Sequence, residues 1–213
     1  MREYTTVLLI RHAESTKNIK DIHGGEGEKL TAKGRQQSFD LCELLTQYGI
    51  RRKNATIFTA PSVQTLETAN IISNRLDIII KQIKDFVPMN LGVANGCSNK
   101  ELEERFPQVY SVLTKWRNQE IDISELLIPG MDSPQDFYKR GLKILDSIEK
   151  GKINIFIATS SLFILLLNIL LGHNCNYGGG YIHYNIPNCG MIWFDLITEH
   201  EFVIDWDKTN VRI

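Results

Sequence analysis

The run Thr6-Val7-Leu8-Leu9-Ile10, followed at once by Arg11-His12-Ala13-Glu14-Ser15-Thr16, decides how this chain is read. Thr, Val, Leu and Ile without polar alternation are what a central parallel strand, buried on both faces, requires. Polar chemistry starts where the apolar run stops, at the strand's end. A Gly-rich, charged stretch from His23 to Lys29 reads as a surface loop. Thr31 then opens a helix in which Leu41, Leu44, Leu45 and Tyr48 form an apolar stripe and Gly49 is the stop.

The alternation recurs. A strand is expected at Thr56 to Thr59, a helix at about Ser62 to Leu76 and a third strand at Ile78 to Ile83. Two helical stretches, Asn99 to Trp116 and Ser133 to Glu149, lie on either side of a Pro- and Gly-bearing loop at Ile128 to Asp132 and read as an inserted or capping layer. Ile153 to Ala158 is the fourth strand, Leu162 to Leu171 its helix, and Met191 to Ile197 with Phe202 to Trp206 a closing antiparallel pair. Strands alternating with helices imply an α/β three-layer sandwich with a mostly parallel central sheet, and such sheets place ligands beyond the carboxyl ends of their strands. That position holds Arg11 and His12. The chain reads as one domain over residues 1–213, with a helical capping insertion at about 89–132.

Composition narrows the function classes. Hydrophobic residues at 43% and charged residues at 23% are ordinary globular usage, which argues against disorder and fibrous repeats. The 24 basic and 25 acidic side chains nearly cancel, so no general attraction to nucleic acid or an anionic membrane is expected, and any anion must be bound locally. The start, Met-Arg-Glu-Tyr-Thr-Thr, lacks the basic and apolar segments of a secretory signal. Phe156 to Leu171 is short for a membrane span and is interrupted by Thr159, Ser160, Ser161 and Asn168. Cys42, Cys97, Cys175 and Cys189 form no CxxC pair, so no metal site or disulfide framework is expected and a cytoplasmic location fits.

An arginine offers phosphate a planar, permanently charged fork of donors, and a neutral imidazole held through one nitrogen is a competent nucleophile through the other. Arg11-His12 alone also fits a surface ion pair, so the assignment rests on the residues around it. Arg11, His12, Ala13, Glu14 and Asn18 match an Arg-His-Gly/Ala-Glu-x-x-x-Asn signature, and Leu30, Thr31 and Gly34 a Leu-Thr-x-x-Gly helix opening. Ala60, Pro61, Gln64, Thr68 and Ala69 look like a Ser-Pro-x-x-Arg-x-x-x-Thr-Ala element. Gly92 and Gly96, and Pro129-Gly130-Met131-Asp132-Ser133 with Arg140, continue the match. In these residues the chain resembles the histidine phosphatase superfamily, the phosphoglycerate mutase-like family, over nearly its whole length.

The resemblance implies a two-step reaction. His12 takes a phosphoryl group, and water or an acceptor hydroxyl removes it, with no metal or organic cofactor. It places Arg11, Asn18, Gln64, Ser160 and Ser161 around the phosphate, where preorganised charge is usually the largest catalytic contribution. The chain departs from the family pattern inside this pocket: Gln64 stands at the second-Arg position, Ser160 at the second-His position, and Pro88 aligns with the usual acid, a Glu. Neutral hydrogen bonds are roughly half as strong as charge-assisted ones.

Two classes of function follow. One is a phosphatase for a small phosphorylated molecule whose leaving-group acid comes from elsewhere, with Glu14, Asp85, Glu101 and His183 as candidates. The other is a catalytically inactive relative that binds a phosphorylated ligand or a partner protein. A phosphoglycerate mutase fits less well, because it must hold two anionic groups and this pocket has lost cations. An engineered Ser160 alone would leave Gln64 and Pro88 unexplained. Plainer readings stand beside these: Asn18 as a turn cap, Gln64 as a helix-surface residue, Ser160 as an N-cap, and His23, His173 and His200 as solvated loop residues. Arg105, Lys115, Trp116 and Arg117 are candidate ligand contacts from the capping segment, and Tyr177 to Tyr181 reads as a mobile loop near the site. Both a monomer and a homo-oligomer are compatible with the sequence.

Overall fold

A computed structural model describes residues 5–24, 27–173, 180–197 and 201–211. Cys175, Tyr177 and His200 lie outside the described residues. The element order is β1 (Thr6–Arg11), α1 (Thr16–Ile19), α2 (Ala32–Gln47), β2 (Ala55–Thr59), α3 (Val63–Leu76) and β3 (Ile80–Gln82). It continues with α4 (Asn99–Arg105), α5 (Pro107–Arg117), α6 (Pro134–Leu145), β4 (Ile153–Ala158), α7 (Ser160–Leu170), β5 (Met191–Leu196) and β6 (Phe202–Ile204).

The strands form one six-stranded sheet in the order β3-β2-β4-β1-β5-β6. β1, β2, β3 and β4 are mutually parallel where they pair, and β5 runs antiparallel to both β1 and β6. The sheet is therefore mostly parallel and closed by the expected antiparallel pair. Alternate residues of β1 serve opposite faces, as a period of two demands. Val7 and Leu9 join Phe58, Phe156, Leu113, Phe137 and Leu162 in one core, while Leu8 and Ile10 join Ile57, Ile155, Leu41, Leu45 and Ile72 in the other. Helices α2 and α3 thus cover one face and α5, α6 and α7 the other, which is the three-layer arrangement. Phe58 and Phe156 stack at 5.0 Å on adjacent strands, with Phe86 edge-on to Phe156 at 6.0 Å.

Several boundaries differ from expectation for local reasons. The helix expected over Asn99 to Trp116 is two helices, because Pro107 excludes the helical region for Phe106, which sits at φ −139°, ψ 59°. The helix expected from Leu162 begins two residues earlier, so Ser160 and Ser161 fall in its first turn and Thr159 is its N-cap. The third strand shrinks to Ile80–Gln82 at the sheet's edge. Thr31 caps α2 through its hydroxyl, which accepts from the Gly34 N–H at 2.9 Å. A Cβ on Gly34 would lie 2.0 Å from the Glu14 carbonyl oxygen, so the Leu-Thr-x-x-Gly opening exists to let α2 touch the loop after β1.

The register brings three loops to one end of the sheet. Arg11 pairs with Ala158 and Thr59 with Ile157, so β1, β4 and β2 end level. The His12 N–H donates to the Ala158 carbonyl at 3.0 Å, which continues the ladder one residue past the strand.

Candidate active site

A cavity of about 490 Å³ opens at this end of the sheet. Arg11, His12, Asn18, Gln64, Ser160 and Ser161, all singled out in the sequence, line it together, as do Pro88, Trp116, Arg117 and His183. Helices α3 and α7 aim their N-terminal turns at it, contributing Gln64 from one and Ser160 and Ser161 from the other. The backbone N–H groups of such turns, with the helix dipole, suit an anion.

His12 is 3% exposed. Its Nδ1 lies 2.7 Å from the Ala13 carbonyl oxygen, an acceptor only, so Nδ1 carries the proton and the Nε2 lone pair is left for the cavity. Burial, with Arg11 and Lys17 nearby, lowers its pKa to about 3, against the opposing bond to Ala13. The ring is therefore neutral in ordinary buffers. Asn188 donates to the His12 carbonyl at 2.9 Å, and the Cys189 N–H donates to the Arg11 carbonyl at 3.1 Å. Cys189 is no rival nucleophile, since burial pushes its thiol up to about 12.

Arg11 donates through Nη1 to the Ile186 carbonyl, and its buried Nε has no protein partner. Gln64 Oε1, Thr159 Oγ1 and Trp116 Nε1 are likewise buried without partners. These four atoms, the buried side-chain atoms without partners among the described residues, all belong to cavity-lining residues, where a polar ligand would satisfy them. Gln64 is 3% exposed, so it is a pocket residue and not a helix-surface one. The amide oxygen of Asn18 accepts from the Ser15 N–H and hydroxyl, both at 2.9 Å, so Asn18 is a helix cap as well as a pocket wall.

The candidate acids separate. Glu14 faces away from the cavity, accepting from Lys33 at 2.9 Å and Thr31 at 2.9 Å, and these hydrogen bonds hold its carboxyl below the usual range. Asp85 is exposed and outside the lining, and Glu101 caps α4 through the Ser98 N–H and hydroxyl at 2.8 Å. Only His183 of the four reaches the cavity, and burial followed by Arg117 lowers its pKa to about 4. Pro88 occupies the wall, held by Arg140, which donates to the Val87 and Pro88 carbonyls at 3.2 and 3.3 Å.

Of the capping-segment cations, Arg105 and Lys115 point to solvent, whereas Trp116 and Arg117 line the cavity. His23 is 6% exposed and is not a solvated loop residue: its ring bonds Asn99 and Arg117. His173 bonds Asn168 at 2.8 Å beyond the end of α7. Lys17 also lines the cavity, so its cations are Arg11, Lys17 and Arg117 and its carboxylate is Asp21, among the described residues. Tyr181, the end of the loop expected near the site, does line the cavity, whereas Lys17, His23 and Asn188 were not expected there. Lys17 sits inside the signature and could have been noticed; nothing local in the sequence joins the others to the strand end.

Among solved structures, Bacillus stearothermophilus YhfR superposes with a TM-score of 0.78 at 20% identity, covering 97% of this chain and 98% of that one. A mycobacterial glucosyl-3-phosphoglycerate phosphatase in complex with VO3 gives 0.73 at 17% identity, covering 94% and 97%. The phosphoserine phosphatase of Entamoeba histolytica, in complex with 3-phosphoglyceric acid, gives 0.70 at 19% identity, covering 94% and 95%. At these identities the likeness is one of fold. No curated protein matches the sequence. The model of the histidine phosphatase superfamily (branch 1) matches residues 7–209, nearly the whole chain. With Arg11 and His12 at the strand end where that family's signature belongs, the chain is a member of the histidine phosphatase superfamily.

Proposed function

We propose that the cavity hydrolyses a small phosphomonoester through a phosphohistidine on His12. The observation that carries this reading is the state of the His12 ring, neutral, with its proton fixed on Nδ1 by the Ala13 carbonyl and Nε2 available. Attack by Nε2 forms an N–P bond as the ester P–O bond breaks, and the electron pair leaves with the alcohol oxygen. Water then attacks phosphorus, the N–P pair returns to Nε2, and inorganic phosphate departs. Arg11 and the N-terminal turns of α3 and α7, with Asn18, Gln64, Ser160 and Ser161, would hold the equatorial oxygens as charge spreads over them. His183 is unprotonated near neutrality and supplies no proton to the leaving group. The layer over 89–132 acts as a cap whose Trp116 and Arg117 face the alcohol portion.

The test is hydrolysis of 4-nitrophenyl phosphate by the purified protein, beside His12→Ala and with acid-quenched protein probed for acid-labile phosphate. Turnover and label in the parent, both lost in His12→Ala, are expected. A second reading has its own observation: Gln64 and Ser160 are uncharged where the family places Arg and His, which favours ligand binding without turnover. Under that reading the parent is inert, and Ser160→His, restoring one donor worth roughly 100-fold in rate, recovers measurable hydrolysis.

A further inference from the structure

His23 ties two parts of the cavity together through a relay whose polarity is fixed from both ends. The Asp21 carboxylate can only accept, so Asn99 donates to it through Nδ2 and turns its Oδ1 toward His23. His23 Nε2, 2.7 Å from that oxygen, therefore carries the ring proton. At the other end the Arg117 guanidinium can only donate, and its Nη2 lies 2.8 Å from His23 Nδ1, which must accept. Two independent constraints demand the same neutral ring. Protonation would put an N–H against an N–H and a cation against a cation.

The backbone around His23 does not depend on this side chain. Its N–H donates to the Cys97 carbonyl at 2.9 Å, its carbonyl accepts from the Gly96 N–H at 2.7 Å, and Ile22 bridges to Ser98. The ring is thus free to serve Arg117. Arg117 ends α5 beside Trp116, whose buried indole N–H has no partner and lines the same cavity. Guanidinium and indole together present donors on the wall formed by the cap.

We propose that His23 is a positioning residue, whose neutral ring fixes Arg117 to hold an anionic group on the alcohol portion of the substrate, and whose protonation releases that hold. The proposal rests on the phosphomonoester reading for what the cavity binds and narrows the substrate to one carrying a second anion. Among the described residues, Arg117 from α5, Lys17 from α1 and the neighbouring Asp21 are the charged groups acting on His23; Asp21, Tyr110 and His183 face Arg117. Burial first, then Arg117 and Lys17, keeps His23 below its ordinary range against the opposing pull of Asn99 and Asp21. The hold is therefore intact at neutral pH and fails on acidification.

The experiment compares phenyl phosphate with 4-sulfophenyl phosphate, whose sulfonate stays ionised throughout, in the full chain and in His23→Phe, His23→Gln and Arg117→Met. KM and kcat are read for each from roughly pH 7.5 to 4, reaching below the ordinary histidine range because burial lowers both His23 and His183. The parent should favour the sulfonated ester in KM by roughly 10- to 100-fold, as a bond to a charged group allows, and the preference should shrink with falling pH. His23→Phe and Arg117→Met should lose it. His23→Gln, which can still donate to Asn99 and accept from Arg117 but does not titrate, should keep a preference that is flat with pH. A parent without the preference, or a preference unchanged in His23→Phe, overturns the proposal. So does a pH slope that survives in His23→Gln, which would assign the titration to His183. If neither ester is hydrolysed, the phosphatase reading fails, and calorimetric Kd values for the same pair and variants decide the role of His23 by the same criteria.

Discussion

His12 combines near-complete burial with a neutral ring, and that combination carries a stability cost on acidification. The unfolded chain takes up a proton at its His12 near the ordinary value of 6.5, whereas the folded chain refuses it down to about 3. A lowered histidine pKa therefore leaves stability untouched above 6.5 and removes it progressively as pH falls from 6.5 toward 3. Between pH 7 and 4 the loss should be about 3 kcal/mol from this group alone. Urea unfolding of the parent and His12→Gln at both pH values measures it: the parent should lose more than the variant, and equal losses would show that the ring is protonated in the fold. The placement of Arg11 and His12 at the cavity was legible in the sequence because a strand end fixes both position and direction. His23 was not, because its partner Arg117 is 94 residues away and no local pattern encodes that pairing.

At the scale of elements, the segment 180–188 that brings Tyr181 and His183 to the cavity has no regular structure, and Asn168 of α7 grips it at both backbone groups of Ile182. Asn168 is fully buried within the run of apolar residues that follows Ser160 and Ser161 in α7. Its amide donates to the Ile182 carbonyl at 2.9 Å, and its oxygen accepts from the Ile182 N–H at 2.9 Å. Asn168→Leu removes both bonds and leaves the Ile182 backbone groups without them, at about 1 to 3 kcal/mol for each buried group left unsatisfied. The expected outcome is a lowered urea midpoint together with faster proteolytic cutting within 180–188; an unchanged cutting rate would show that the segment's other bonds, from Gln119 to His183, Gly180 to Asp122 and Tyr181 to Ser161, suffice to hold it. In the sequence Asn168 reads only as an interruption that argues against a membrane span, since the apolar run around it predicts burial but not what lies opposite. The helix-breaking effect of Pro107 belongs to the same scale, but there the signal was local, and Pro107 itself announces the break between α4 and α5.

For the whole molecule, one end of the sheet brings Arg11 and His12 to the floor of the cavity with the first turns of α3 and α7, while the segments above it supply the opposite wall. That wall holds Arg117, Trp116 and His183, and among the described residues no carboxylate of the cavity lining stands beside Pro88; Asp132, near it, is bound by Arg140 at 3.0 Å and lies outside the lining. Among the described residues the carboxylate lining the cavity, Asp21, accepts from Asn99, while Glu14 is bound by Lys33 and Thr31. If the cavity hydrolyses phosphomonoesters as proposed, no carboxylate or histidine lining it among the described residues is placed as a proton donor near neutrality, and the alcohol is expected to leave as its anion. Esters of acidic alcohols tolerate this and esters of ordinary alcohols do not, because general acid catalysis is worth roughly 100- to 10,000-fold. Across a series of aryl and alkyl phosphates, kcat/KM should therefore fall steeply as the leaving-group pKa rises, with aryl esters favoured over alkyl esters by at least about 100-fold. Val87 and Pro88 are held by Arg140 through their carbonyls, not through side chains. Pro88→Glu accordingly leaves that support in place and should flatten the dependence by raising the rates of alkyl esters selectively. A shallow dependence in the parent would mean that a protein group already protonates the leaving oxygen, and His183→Asn would then identify whether the ring beside Arg117 is the donor.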